Sequence, residues 1–127
     1  MLGERRYRDR AADIIRYVRH TLIDRDVYLD VAQELMRFAM RELWDASANG
    51  FVDRLVAEDD VGLLREPLKP FGSNCAAVSV LARLSRLTGN DDFRARAATT
   101  LAFQLPGACG LGVEAAPWAL AALELGR

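Results

Sequence analysis

The residues of this chain that could carry chemistry are few and scattered. Acid–base work on a sugar or similar bond needs two carboxylates held at a fixed separation across a pocket. The sequence offers the run Glu58-Asp59-Asp60, the separate Asp45 and Asp53, and Glu114 near the end. The run lies in a stretch full of loop signals, where a solvated acidic turn is the simpler reading. Asp45 and Asp53 flank a turn and a short extended piece, and Glu114 stands alone. The one histidine, His20, falls between Val18 and Leu22 of a basic helical pattern, where a structural role is simpler than that of a general base. Cys75 opens a helical pattern, and a helix N-terminus can lower a thiol pKa. A small buried hydrophobe is the simpler reading of it.

Cys75 and Cys109 show no CxxC or other metal spacing, so both read as reduced thiols, and with one histidine no transition-metal site is predicted. Gly107, Gly110 and Gly112 lack the preceding strand and following Lys-Ser/Thr of a phosphate loop. These readings predict no catalytic centre and no cofactor.

The bulk numbers bound the rest. At 127 residues the chain is long enough for one modest core, and the expectation is a single domain over residues 1–127. Hydrophobic residues make up 51% and charged ones 28%, which places the chain among globular proteins rather than disordered ones. With 17 Lys and Arg against 18 Asp and Glu, a net charge of -1 gives no general pull toward nucleic acid or anionic membrane. Arg5, Arg6, Arg8 and Arg10 are interrupted by Glu4, Asp9 and apolar positions, as on a solvated helix face. No apolar signal-peptide core follows the charged start, and the most apolar runs, 75–82 and 115–123, are each too short to span a bilayer. A soluble cytoplasmic protein is the expectation.

The periodicity predicts five helices. Tyr7, Ala11, Ile14, Ile15, Val18 and Leu22 form one stripe over residues 4–22. Asp26 is the predicted N-cap of a second helix that reaches about Trp44. Leu29, Val31, Leu35, Met36, Phe38 and Leu43 make that helix apolar around more than half its circumference, so it should be squeezed between neighbours. Asn49-Gly50 signals a turn, Phe51-Val52-Asp53 a short extended piece, and Pro67 and Pro70 exclude a regular helix there. Residues 45–72 therefore make a long loop of the kind that is functional or packs as a lid.

A third helix should open at Ser73-Asn74, either of which can cap it, and end at Thr88-Gly89. Asn90 should cap a fourth, with Phe93, Ala97, Thr100, Leu101 and Gln104 on one face and Pro106-Gly107 as its stop. A fifth, with Pro117 in its first turn, carries Trp118, Ala121, Ala122 and Leu125 and has no helix to pair with. Two helical hairpins, 4–44 and 73–105, share a cap–aromatic–alanine pattern (Asp26, Tyr28, Ala32; Asn90, Phe93, Ala97), as stacked repeats do.

The passage Tyr28-Leu29-Asp30-Val31-Ala32, Leu43-Trp44-Asp45 and Asn49-Gly50-Phe51-Val52-Asp53 resembles a recurrent stretch of α/α-toroid proteins. In those, an outer helix ends in Trp-Asp and a Gly-Phe-x-Asp hairpin strand follows. Leu68-Lys69-Pro70-Phe71, Ser73-Asn74-Cys75-Ala76-Ala77, Leu87-Thr88-Gly89 and Phe93-Arg94 are similar to the next pair of helices. The resemblance is to the C-terminal toroid of thioredoxin-domain-containing proteins, related to N-acylglucosamine 2-epimerases and six-hairpin glycosidases, over residues 7–125.

That family has Gly-Asn-Ser where this chain reads Ser73-Asn74-Cys75, so only Asn74 carries over. The resemblance implies an all-α fold of tandem αα-hairpins, part of an (α/α)6 toroid, with a short β-hairpin in the long loop. It implies a ligand site at the N-terminal ends of inner helices: Asp53, Lys69, Ser73 and Asn74, with Phe51, Phe71 and Trp44 as stacking surfaces for a carbohydrate ring.

A full toroid has about six hairpins, and the thioredoxin-like domain is absent from this sequence. The chain is therefore expected to be a fragment of a larger protein or to be completed by a partner, most simply further copies of itself. Two function classes follow: a helical scaffold without independent catalysis, or a carbohydrate-binding or carbohydrate-active pocket that another chain completes.

Overall fold

The computed structural model describes residues 25–127, so the predicted first helix with His20 lies outside the described residues. The chain divides into two compact units, Met1–Gln33 and Glu34–Arg127. Helix α1, Arg25–Glu42, crosses that boundary and carries Asp26 in its first turn. A two-stranded antiparallel hairpin follows, β1 at Trp44–Asp45 and β2 at Gly50–Phe51, and then a loop with one 3-10 turn, Gly62–Arg65. Helices α2, Phe71–Thr88, and α3, Asp91–Leu111, form a hairpin. A second 3-10 turn, Gly112–Ala115, leads into α4, Ala116–Gly126. The mostly helical character predicted from periodicity is what the chain adopts.

The α2–α3 connection is set by two local devices. Gly89 takes the left-handed conformation, φ 68°, and its N–H closes on the Ser85 carbonyl at 2.8 Å. The Asn90 side chain accepts from the Asp92 N–H at 2.9 Å, with Asp91 and Asp92 favouring the dipole of α3. Beyond the cap, Phe93, Ala97, Thr100, Gln104 and Ala108 recur at helical spacing and are all buried. They face α2, which buries Val78, Leu81 and Leu84. Thr100 is fully buried and satisfies its hydroxyl on the Arg96 carbonyl, 2.9 Å away.

Several expectations are corrected. Trp44 is a strand residue, not the end of α1, because it pairs with Phe51 across the turn. Helix α2 begins at Phe71, two residues before the Ser73-Asn74 cap, with Pro70 as N-cap. Proline has no N–H to satisfy there, and its fixed φ of -62° suits the entry. Helix α3 does not stop at Pro106 but runs five residues further, to Leu111. Proline deprives only the Ala102 carbonyl, which lies on an exposed part of the helix where water can replace the bond, while Gln104 and Ala108 hold the buried face in register.

Finally, the apolar residues of α1 are not enclosed. Val31, Leu35 and Phe38 are about half exposed, at 50%, 64% and 46%. Taken singly, the runs 75–82 and 115–123 are short. The helical run Asp91–Gly126, however, is by length and composition alone long and apolar enough to cross a membrane. A core helix of a soluble protein passes the same test.

Helix α4, expected to lack a partner, packs across α2 and α3. Ala121 is fully buried, and the Trp118 indole N–H donates to the Leu101 carbonyl at 3.0 Å. The Glu124 carboxylate is gripped by Arg83 at 2.9 Å and Arg86 at 2.7 Å from α2, with Arg127 3.6 Å away. Arg86 first, then Arg83, draw the Glu124 carboxyl down from 4.5 to about 2. A depressed folded value means this contribution is complete above pH 4.5 and is lost as pH falls through about 2. The stability difference between the parent and Glu124→Gln, measured by urea unfolding from neutral pH downward, is therefore expected to be constant above pH 4.5 and to shrink below it. A difference that stays constant to pH 2 contradicts the pairing.

Candidate functional site

The hairpin and loop that join α1 to α2 carry the residues singled out from the sequence. Trp44 pairs with Phe51 and Asp45 with Gly50, and Asn49 supplies the left-handed residue of the turn at φ 55°. Asp45 organises the turn: one carboxylate oxygen accepts from the Ser47 N–H at 2.9 Å and the Ser47 hydroxyl at 2.6 Å. The other oxygen pairs with the Lys69 ammonium at 2.8 Å. Lys69, followed by the Ser47 donors, holds the Asp45 carboxyl far below the usual carboxylate range.

Asp53 closes the long loop. Its N–H donates to the Leu68 carbonyl at 2.8 Å and its carboxylate accepts from the Leu68 N–H at 2.9 Å. Within the closed segment Asp60 is the hub. It accepts from the Ala57 N–H and from the Arg54 guanidinium, both at 2.8 Å, while its own carbonyl takes the Arg65 guanidinium at 2.6 Å. The Ala57 N–H, then Arg54, lower the Asp60 carboxyl. A 16-residue segment with bonded ends and an internal network is an Ω-loop. It accounts for the length that looked excessive for a connection.

Asn74, fully buried, fastens the hairpin to α2. Its carbonyl oxygen accepts from the Phe51 N–H at 2.8 Å, and its amide donates to the Phe51 carbonyl at 2.9 Å and the Pro70 carbonyl at 3.0 Å. Asn74 thus does for the free edge of β2 what a third strand would do. Gly50 makes the approach close: a Cβ there would sit 2.8 Å from the Phe103 ring and 3.4 Å from the Asn74 oxygen. The Phe51 ring meets Trp44 edge-on at 5.1 Å, and the Arg96 guanidinium lies over the Trp44 ring at 4.1 Å.

The structure therefore brings Asp53, Lys69 and Asn74 to one seam, where each bridges residues 44–53 to residues 68–74. Phe71 is half-buried, with its ring 3.6 Å from where a Cβ on Gly107 would lie. Ser73 is exposed in the first turn of α2. Cys75 is buried, and burial pushes its thiol pKa up, the reverse of what a nucleophile at a helix N-terminus needs. Glu114 is exposed in the second 3-10 turn. No group of three or more His, Cys, Asp or Glu among the described residues is placed to hold a metal ion.

Concave surface occurs elsewhere. An open apolar hollow of about 570 Å³ between the end of α3 and α4 is lined by Leu105, Ala108, Cys109, Val113 and Trp118, among others. A second, of about 590 Å³, shares Trp118 and Ala119 with it and continues to Leu123 and Arg127. A smaller and more polar cleft of about 360 Å³ is lined by Met40, Asp92, Ala95, Arg96 and Thr99. Sequence reasoning missed Asp92 and Arg96 as a site. The available signal was an acid and a base four residues apart on a helix, on the same face.

No family model, curated protein or solved structure matches the chain.

Proposed function

We propose that this chain is a helical scaffold without a catalytic centre of its own, a partial α/α toroid that works by associating with a second copy of itself. The observation that carries this reading is the outer face of the α3–α4 end. Val113 is 93% exposed, Leu120 62% and Leu123 63%, beside two adjoining apolar hollows whose linings include a single charged residue, Arg127. Exposed apolar surface of this continuity marks an interaction site. A two-fold pair puts the same patch on both sides, and a patch with almost no charge meets its copy without repulsion.

Two further features support the scaffold. Asp53, Lys69 and Asn74 are engaged in tying residues 44–53 to residues 68–74. The order of α1, a Trp-Asp strand, a Gly-Phe strand and a helical hairpin follows the order of elements in the toroid resemblance. Light scattering after gel filtration is the test. The expected mass at micromolar concentration is at least twice the 14.1 kDa of one chain, and a mass of one chain overturns the proposal.

A further inference from the structure

We infer that the cleft beside Trp44 binds a small molecule with a carboxylate next to an ammonium group, that is, an α-amino acid. The argument begins with a pairing that fails to form. Asp92 and Arg96 lie one turn apart on α3, in the acid-then-base order that ordinarily makes an ion pair along a helix. Here the guanidinium of Arg96 is drawn onto the Trp44 ring, 4.1 Å from its centre. Stacking occupies the face of a guanidinium and leaves its N–H donors pointing out around the edge. Among the described residues those donors meet no acceptor, and the Asp92 carboxylate meets no donor.

Both groups line the same cleft of about 360 Å³, with Met40 as an apolar wall and Thr99 beside them. The Thr99 hydroxyl donates back to the Ala95 carbonyl at 2.9 Å, which leaves its oxygen to accept. The cleft thus presents a flat, oriented fork for a carboxylate and, on the same wall, a carboxylate and a hydroxyl oxygen for an ammonium. Its size is at the small end of ligand sites. A phosphate dianion would bond Arg96 but be repelled by Asp92. A zwitterion satisfies both, and an aliphatic side chain can lie on Met40.

Calorimetric titration of the full chain with L-leucine, acetate and inorganic phosphate tests this, with the Trp44 indole N–H resonance as a second readout. The expected result is saturable L-leucine binding, acetate weaker by about tenfold or more, and no response to phosphate. Arg96→Gln is expected to weaken L-leucine about tenfold or more, and Asp92→Asn to bring it down to the level of acetate. Circular dichroism of each variant confirms that its fold is retained. Absence of saturable L-leucine binding overturns the inference, as does binding that Arg96→Gln leaves unchanged. Equal affinity for L-leucine and acetate in the parent removes the assignment to an amino acid.

Discussion

Replacing Asn74 by alanine is expected to cost about 3 kcal/mol of folding stability and to free the hairpin from α2. The side chain is inaccessible to water and makes three hydrogen bonds, two of them to the backbone of a buried residue, Phe51. Alanine removes all three at once. The Phe51 N–H and carbonyl then keep their burial but lose their partners, at about 1–3 kcal/mol for each group stranded without water. Asn74→Asp is expected to be as severe, because it exchanges the amide donor for a carboxylate facing the Phe51 and Pro70 carbonyls. Urea unfolding measures the loss, and amide exchange at Phe51 shows where it falls. If Asn74 served only a ligand, stability and Phe51 exchange would both stay at parental values.

The second large effect is expected at Phe93, where alanine should cost about 3–5 kcal/mol. Phe93 is 1% exposed and sits one turn after the Asn90 cap, where α3 meets α2. Truncation leaves a void between two helices held in place at both ends. The Gly89–Asn90 connection fixes one end, and at the other the Phe71 ring lies against α3 at Gly107. A site that cannot collapse pays the full cavity term. Leu63→Ala, at 87% exposure and away from the α3–α4 end, is expected to change stability by about 0.5 kcal/mol or less in the same urea titration. Equal losses at the two positions would contradict the assigned core.

What could be read from the sequence divides along the range of the interaction. The α2–α3 hairpin was legible because its signals are local. Gly89 ends one helix, Asn90 opens the next, and Phe93, Ala97, Thr100 and Gln104 repeat at the helical period. The turn at Asn49-Gly50 was legible for the same reason. Asn74 was singled out as a cap, because Ser-Asn before an apolar stripe has that local meaning, and as a ligand residue through the resemblance. Its actual partner, Phe51, lies 23 positions earlier. The grip of Arg83 and Arg86 on Glu124 spans 41 and 38 positions, so α4 looked partnerless.

Two local rules were overridden by packing. Pro106 should end a helix, yet the buried residues on either side of it, Gln104 and Ala108, keep α3 going. Trp44 continued the apolar pattern of α1, but its pairing with Phe51 draws it into a strand. Of the candidate ligand residues, Asp53, Lys69 and Asn74 lie on one seam, where their bonds go to the backbone and to Asp45. The Asp92–Arg96 spacing was visible in the sequence, but the orientation of Arg96 was not, because Trp44 on a different element sets it.

The central claim, that the chain works through the apolar face of its α3–α4 end, is tested most directly by the solution mass of Leu120→Glu/Leu123→Glu beside that of the parent. Both positions are exposed, so the double variant should keep the parental circular dichroism spectrum. The account predicts a parent of at least two chains and a variant of one. A variant with the same mass as the parent, at the same concentration, would contradict it.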